Sequence, residues 1–280
     1  MSIQRLFFLL VLLTGMSVVP IAAGNAGSAA SGPQAIGHNL ASHKAFYTLS
    51  FSRLDPRNYR NGIAGGLSLE FANDCEAGYT LNQRFVIETN TEDGPSLSDM
   101  TLNSWEAQDG AQFRFKLKDV LNGDVDQELD GEATASEGDA GLVRFSLPEG
   151  VELALPPGIL FPTQHTIRLL ALAHEGKNWL QAPVYDGSSA DGYTDVGGFI
   201  GSELPVEAGE TPVLAPLKGL RSWRVRLAYF TSDKAQDSPD YEIGYRLYDN
   251  GVVDDIVFDY GDYAIRATLQ KLEIKPKNAC

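Results

Sequence analysis

The sequence predicts an all-β protein with one central helix: roughly fourteen antiparallel strands in a β-spiral or open barrel, with a helix over about residues 163–175 passing through or plugging it. Three observations lead there. Apolar residues recur with a period of two along most of the chain, turn dipeptides ending in glycine separate those runs, and one segment switches to a helical pattern.

The strands are legible one by one. Ala45, Tyr47, Leu49 and Phe51 alternate with Phe46, Thr48, Ser50 and Ser52, and Leu67, Leu69 and Phe71 alternate with Ser68 and Glu70. Phe113, Phe115 and Leu117 alternate with Arg114, Lys116 and Lys118, and Trp223, Val225 and Leu227 alternate with Arg224, Arg226 and Ala228. Each run is a strand with one dry and one wet face. Between the runs stand Asp93-Gly94, Asp109-Gly110, Asn122-Gly123, Glu137-Gly138, Asp186-Gly187, Asn250-Gly251 and Tyr260-Gly261, which supply the positive φ that tight hairpins require. No fixed-length repeat is visible, which removes propellers and solenoids.

The helix follows Leu155-Pro156-Pro157-Gly158 and Phe161-Pro162-Thr163, with Thr163 as N-cap and Gly176 as stop. Ile167, Leu170, Ala171 and His174 share one face while Leu169 and Leu172 occupy others, so the helix is apolar on several sides and belongs in the interior. It either fills the lumen or leaves a pocket beside it.

Composition narrows the function. The formal charge of −15 argues against binding a nucleic-acid backbone or an anionic membrane surface through charge. Met1–Ala26 reads as a secretory signal peptide, with Arg5 before the apolar run Leu6–Leu13 and small residues at Ala22, Ala23, Gly24 and Ala26. Residues 27–43 then form a flexible leader and 44–280 a single β domain, with no membrane span in the mature chain. The two cysteines, Cys75 and Cys280, are most simply a disulfide after export, closing a loop of about 200 residues worth ~5 kcal/mol. The alternative is two separate thiols, one on the tail.

No nucleophile elbow, Walker loop, dinucleotide fingerprint or His-Glu-x-x-His motif is present, so no catalytic residue, metal or cofactor is expected. His165 and His174 are nine apart, so on a helix they point in roughly opposite directions and form no metal pair. Asp124, Asp126, Glu128 and Asp130 imitate a calcium loop, but Leu129 stands where that loop needs glycine, so a solvated edge is expected. Trp105, Phe113, Phe115, Phe161 and Trp179, with His165 near the helix start, are the candidates to line a pocket for an acyl chain or peptide. The same aromatics could instead pack the core. Two other classes compete: an enzyme on an envelope polymer, for which Glu106 or Asp186 would be the acid, and an outer-membrane barrel.

Several segments together resemble the EipB family of cell-envelope integrity proteins of Gram-negative alphaproteobacteria. They are Cys75-Glu76-Ala77-Gly78-Tyr79-Thr80-Leu81-Asn82-Gln83-Arg84-Phe85, Ser104-Trp105-Glu106 with Asp109-Gly110, Leu155-Pro156-Pro157-Gly158 running into Phe161-Pro162-Thr163-Gln164-His165-Thr166, and the terminal Cys280. The resemblance spans about His43 to Cys280. It implies a periplasmic monomer folded as a many-stranded β-spiral with a helix through it, a disulfide between Cys75 and Cys280, and a role in envelope integrity under stress. It implies a shape similar to periplasmic lipoprotein and lipid carriers, and no catalytic residues. The expected partner is therefore a lipid, a lipoprotein or another periplasmic protein.

Overall fold

The structure, a computed structural model, describes residues 36–37, 39–54, 62–74, 77–91, 94–136, 138–205, 211–231 and 237–276. The signal segment, most of the expected leader, His38, Cys75 and Cys280 lie outside the described residues.

Fourteen strands form one antiparallel sheet: β1 His43–Leu54, β2 Gly62–Asp74, β3 Gly78–Thr91, β4 Gly94–Glu106, β5 Gln112–Leu121, β6 Asp124–Ser136, β7 Asp139–Leu147, β8 Glu152–Leu155, β9 Trp179–Val184, β10 Thr194–Glu203, β11 Ser222–Thr231, β12 Tyr241–Tyr248, β13 Val253–Asp259 and β14 Tyr263–Ile274. Helix α1, Pro162–His174, joins β8 to β9, and a 3₁₀ turn, η1 Pro212–Leu217, precedes β11. The sheet order is β8-β7-β6-β5-β4-β3-β2-β1-β14-β13-β12-β11-β10-β9. First and last strands pair in the middle, while β8 and β9, joined through the helix, form the two edges. The sheet is an open spiral, one of the two forms, closed barrel or spiral, that the alternation allows. Leu160 bridges in parallel to Val184, so the chain leaving β8 touches the other edge before it enters the helix.

Local chemistry explains the elements. Ala45, Tyr47 and Leu49 are buried while their neighbours are exposed, and Phe113, Phe115 and Leu117 repeat this on β5. Asn122 (φ 53°) and Gly123 (φ 94°) both sit at positive φ, the demand of a two-residue type I′ turn between β5 and β6. Gly131 faces inward opposite Phe115, and a Cβ there would lie 2.8 Å from that ring, so the glycine admits the aromatic.

The N-terminal end of the helix is built differently from the expectation. The N-cap is Phe161, Pro162 takes the first helical position, and Thr163 is already inside the helix. Proline fits there because that N–H has no intrahelical partner to lose. At the other end Gly176 (φ 68°) does stop the helix, with Gly176 N–H donating to Ala173 O and Lys177 N–H to Leu172 O in a Schellman pattern.

The acidic run begins β6. Residues 124–129 pair only with β5, since β7 joins β6 from Asp130 onward, so Asp124 and Asp126 do lie on a wet edge. Among the described residues, no three His, Cys, Asp or Glu side chains converge as a metal cluster.

Candidate functional site

Register divides the interior into two ends. Asp74, Gly78, Glu106, Ser222 and Tyr248 lie at one, and Leu54, Gly62, Leu121, Thr231 and Tyr263 at the other. Helix α1 crosses the first end. It starts beside Glu106 of β4 and finishes beside Trp223 of β11 and Asp249 of the β12–β13 turn. Leu169 and Leu170 are fully buried, and of the helix only Arg168 is exposed. Ile36 and Leu40, within the stretch expected as leader, are buried in the same cluster, four apart and both apolar.

A polar network fixes the helix start. Glu106 is buried, and its two carboxylate oxygens accept the backbone N–H groups of Thr163 and Gln164, each at 2.8 Å. These are among the N–H groups that a helix leaves unpaired in its first turn, and a negative group suits the positive end of the helix dipole. A side chain 57 residues upstream thus does the work of a cap. Burial nevertheless outweighs these bonds and raises the Glu106 carboxyl to about 7. Beside it, Tyr79 Oη donates to Gln108 Oε1 (2.8 Å), Gln108 Nε2 donates to Asn73 Oδ1 (3.2 Å), and Asn73 Nδ2 donates to the carbonyls of Gly37 and Leu40. Gln164 Nε2 donates to Gln108 O at 3.0 Å, closing the network. One helical turn into α1, His165 is buried, its Nε2 has no hydrogen-bond partner, and desolvation lowers its pKa to about 4. At the C-terminal end His174 Nε2 lies 2.5 Å from Asp249 Oδ1.

Half of the predicted lining residues meet. Phe113, Phe115 and Phe161 stack in the cluster under β4–β8, with ring centroids 5.0 Å apart for Phe113–Phe161 and 5.8 Å for Phe113–Phe115. Tyr185 closes that cluster edge-on. All four rings are buried against one another, so these aromatics pack the core. Trp105 and Trp179 stand apart. Trp105 faces outward on β4, its ring N–H bonded to Ala77 O at 2.6 Å with the Arg114 guanidinium stacked over it. Trp179 is 54% exposed on edge strand β9, directly opposite Phe199.

Accessible apolar surface inside the spiral lies at the end away from the helix. Phe51, Ile63, Phe85, Ile243, Phe258 and Tyr260 pack on the core there yet remain half-buried. Phe85 of β3 meets Phe258 of β13 edge-on at 6.1 Å across the lumen. Tyr229 stacks on Tyr241 at 4.5 Å, Tyr241 lies 5.9 Å from Tyr260, and Tyr260 lies 4.9 Å from Tyr263. Burial, then neighbouring phenols and the Asp186 carboxylate, push the Tyr229 and Tyr241 hydroxyls well above their ordinary pKa. Such a lining offers rings for an apolar chain and hydroxyls for an ester or amide head. The signal for these residues was the same alternation: Trp223, Val225 and Leu227 continue to Tyr229, and Tyr241, Ile243 and Tyr245 face them across the hairpin.

Comparison with known proteins adds the family. The EipB-like family model matches residues 34–276. The chain is 34% identical over 265 residues to the cell envelope integrity protein EipB of Brucella abortus (strain 2308), covering 92% of this chain and 93% of that one. It is also similar to the crystal structure of a beta-barrel-like protein of a domain of unknown function from Brucella abortus, with a TM-score of 0.77 and 32% identity over 85% of this chain and 99% of that one. The chain belongs to the EipB-like family.

Proposed function

We propose that this is a non-enzymatic periplasmic protein that supports cell-envelope integrity by holding a hydrophobic ligand, a lipid or the acyl chain of a lipoprotein, in the far half of its spiral. The observation that carries this reading is the half-buried lining of Phe51, Phe85, Tyr229, Tyr241, Phe258 and Tyr260, at the end the helix leaves free. The name of the Brucella relative supports the envelope role, and the apolar run after Arg5 supports export. The buried Glu106 supports a non-catalytic reading, because both of its oxygens are committed to the helix.

The Cys75–Cys280 bridge belongs to the same proposal. Asn73 N–H donates to Ser42 Oγ and Lys275 N–H to Ser42 O, so the chain segments leading to the two cysteines are tied to one residue. β2 and β14 are two strand spacings apart across β1, about 10 Å, and the five residues beyond Lys275, up to Cys280, can reach about 17 Å.

Native mass spectrometry of protein isolated from periplasm, followed by organic extraction, tests the ligand. The expected result is a defined excess mass that extracts as lipid or acyl peptide and is lost in Tyr245→Glu. A clean apo mass, with no uptake of a fluorescent fatty acid, would overturn it. A partner protein is the second reading, favoured by the cross-strand pair Trp179 and Phe199, both about half exposed at the β9 edge.

A further inference from the structure

The outer face of the sheet, opposite the lumen, carries an organised row that the ligand hypothesis does not use. In register across seven strands, Glu273 of β14 is followed by Lys44, Glu70, Asn82, Asn103, Lys116 and Asp130. Two shallow troughs of about 350 and 630 Å³ lie along this row and share Asn103. Six strand spacings give them a combined length of roughly 29 Å. Each trough has an aromatic wall. Phe46, 44% exposed, lies flat over Gly66, where a Cβ would come within 3.0 Å of the ring. Trp105 is held by its bond to Ala77 O and by the Arg114 guanidinium 4.8 Å from its ring centre.

We infer that these troughs bind an extended, uncharged glycan running across the strands. Four of the five charges in the row are paired, Lys44 with Glu70 at 3.0 Å and Lys116 with Asp130 at 3.3 Å, so the surface offers donors and acceptors side by side with little net field. A polyanion would meet Glu70, Asp130, Glu132 and Glu273 on a chain of charge −15, while the lining cations Lys44, Arg84, Lys116 and Arg144 are each already paired with a carboxylate and Arg114 stacks on Trp105. An acyl chain would have to lie across the ion pairs Lys44–Glu70 and Lys116–Asp130 and the amides of Asn82 and Asn103. A sugar hydroxyl is donor and acceptor at once, and matches an ammonium–carboxylate pair or the amides of Asn82 and Asn103. The apolar face of a pyranose ring stacks on a fixed indole or phenyl. Ordinary charged sheet faces show such cross-strand pairs too. This one adds two aromatics held against the sheet, one at either side of a central amide pair.

The mature protein titrated with chitohexaose and maltoheptaose, by calorimetry and tryptophan fluorescence, tests the inference. Of the three tryptophans, Trp223 is buried and Trp179 lies on β9, so Trp105 is the reporter in the trough. The expected result is saturable binding of at least one oligosaccharide, with a spectral change absent in Trp105→Ala and kept in Trp179→Ala. Affinity should fall about tenfold in Trp105→Ala. Asn103→Ala, at the junction of the troughs, should weaken binding with the fold intact and serves if the tryptophan variant is unstable. No heat and no spectral change with either oligosaccharide, or an affinity untouched by both substitutions, would overturn the inference. Neither outcome depends on what occupies the lumen.

Discussion

Replacing Glu106 by glutamine should change the pH dependence of folding more than folding itself. Burial raises the carboxyl from its ordinary 4.5 to about 7 in the folded chain. A raised folded-state pKa means that the native protein holds a proton the unfolded chain has released, so the Glu106 contribution is fully present below pH 4.5. It is lost as pH rises towards 7. A shift of this size corresponds to about 3 kcal/mol. His165 acts in the opposite sense over nearly the same window. Its pKa falls from 6.5 to about 4, so the folded state is disfavoured at low pH and recovers about 3 kcal/mol as pH rises to 6.5. The two slopes offset one another, and the wild type should be nearly flat in that range apart from surface carboxylates, the partly buried Asp119, Asp195 and Asp254, whose pKa burial raises, and His43, whose pKa burial lowers. Glu106→Gln removes one side of the balance. Relative to wild type it should gain about 3 kcal/mol between pH about 4.5 and about 8, on top of a constant loss of ~1–3 kcal/mol for the helix N–H that an amide cannot accept. His165→Gln should do the reverse, gaining most relative to wild type at low pH. Urea denaturation followed by tryptophan fluorescence across this range measures both. Parallel stability curves for wild type and Glu106→Gln would refute the reasoning, because Glu106 would then titrate alike in both states.

Three further outcomes are expected. Phe113→Ala should cost about 3–5 kcal/mol, since its ring is buried among Phe115, Phe161 and Tyr185, whereas Trp179→Ala should stay within about 0.5 kcal/mol; chemical denaturation of the pair separates core from surface aromatics. Gly187→Ala should lower stability by about 1–3 kcal/mol, because the residue sits at φ 79° and a Cβ would fall 2.6 Å from the Phe115 ring; a thermal melt unchanged from wild type would contradict that. Dithiothreitol should lower the melting temperature by the amount Cys75→Ser or Cys280→Ser does, with up to ~5 kcal/mol involved, and identical melts of oxidised and reduced protein would remove the bridge.

Strand identity was legible from sequence because alternation is a local property. The parity that puts Phe113, Phe115 and Leu117 on the dry face of β5 also puts Trp105 out of step with Met100 and Leu102 on β4, and Trp179 out of step with Leu180 and Ala182 on β9. Applied strictly, it would have sent both tryptophans outward at once. It would also have found Tyr229, one step beyond Leu227. The helix was legible from its apolar faces and from Gly176, but its cap was not. Only assembly of β4 against α1 decides that Glu106 meets two free N–H groups, and only assembly makes that carboxyl hard to ionise. Sheet order was likewise beyond the sequence: β1 pairs with β14, more than two hundred residues away, and β8 and β9 become the edges that the helix spans. Period and turn chemistry are set by neighbours a few bonds apart. Which strand lies beside which, and which buried charge finds a partner, depends on contacts that exist only once the sheet has curled.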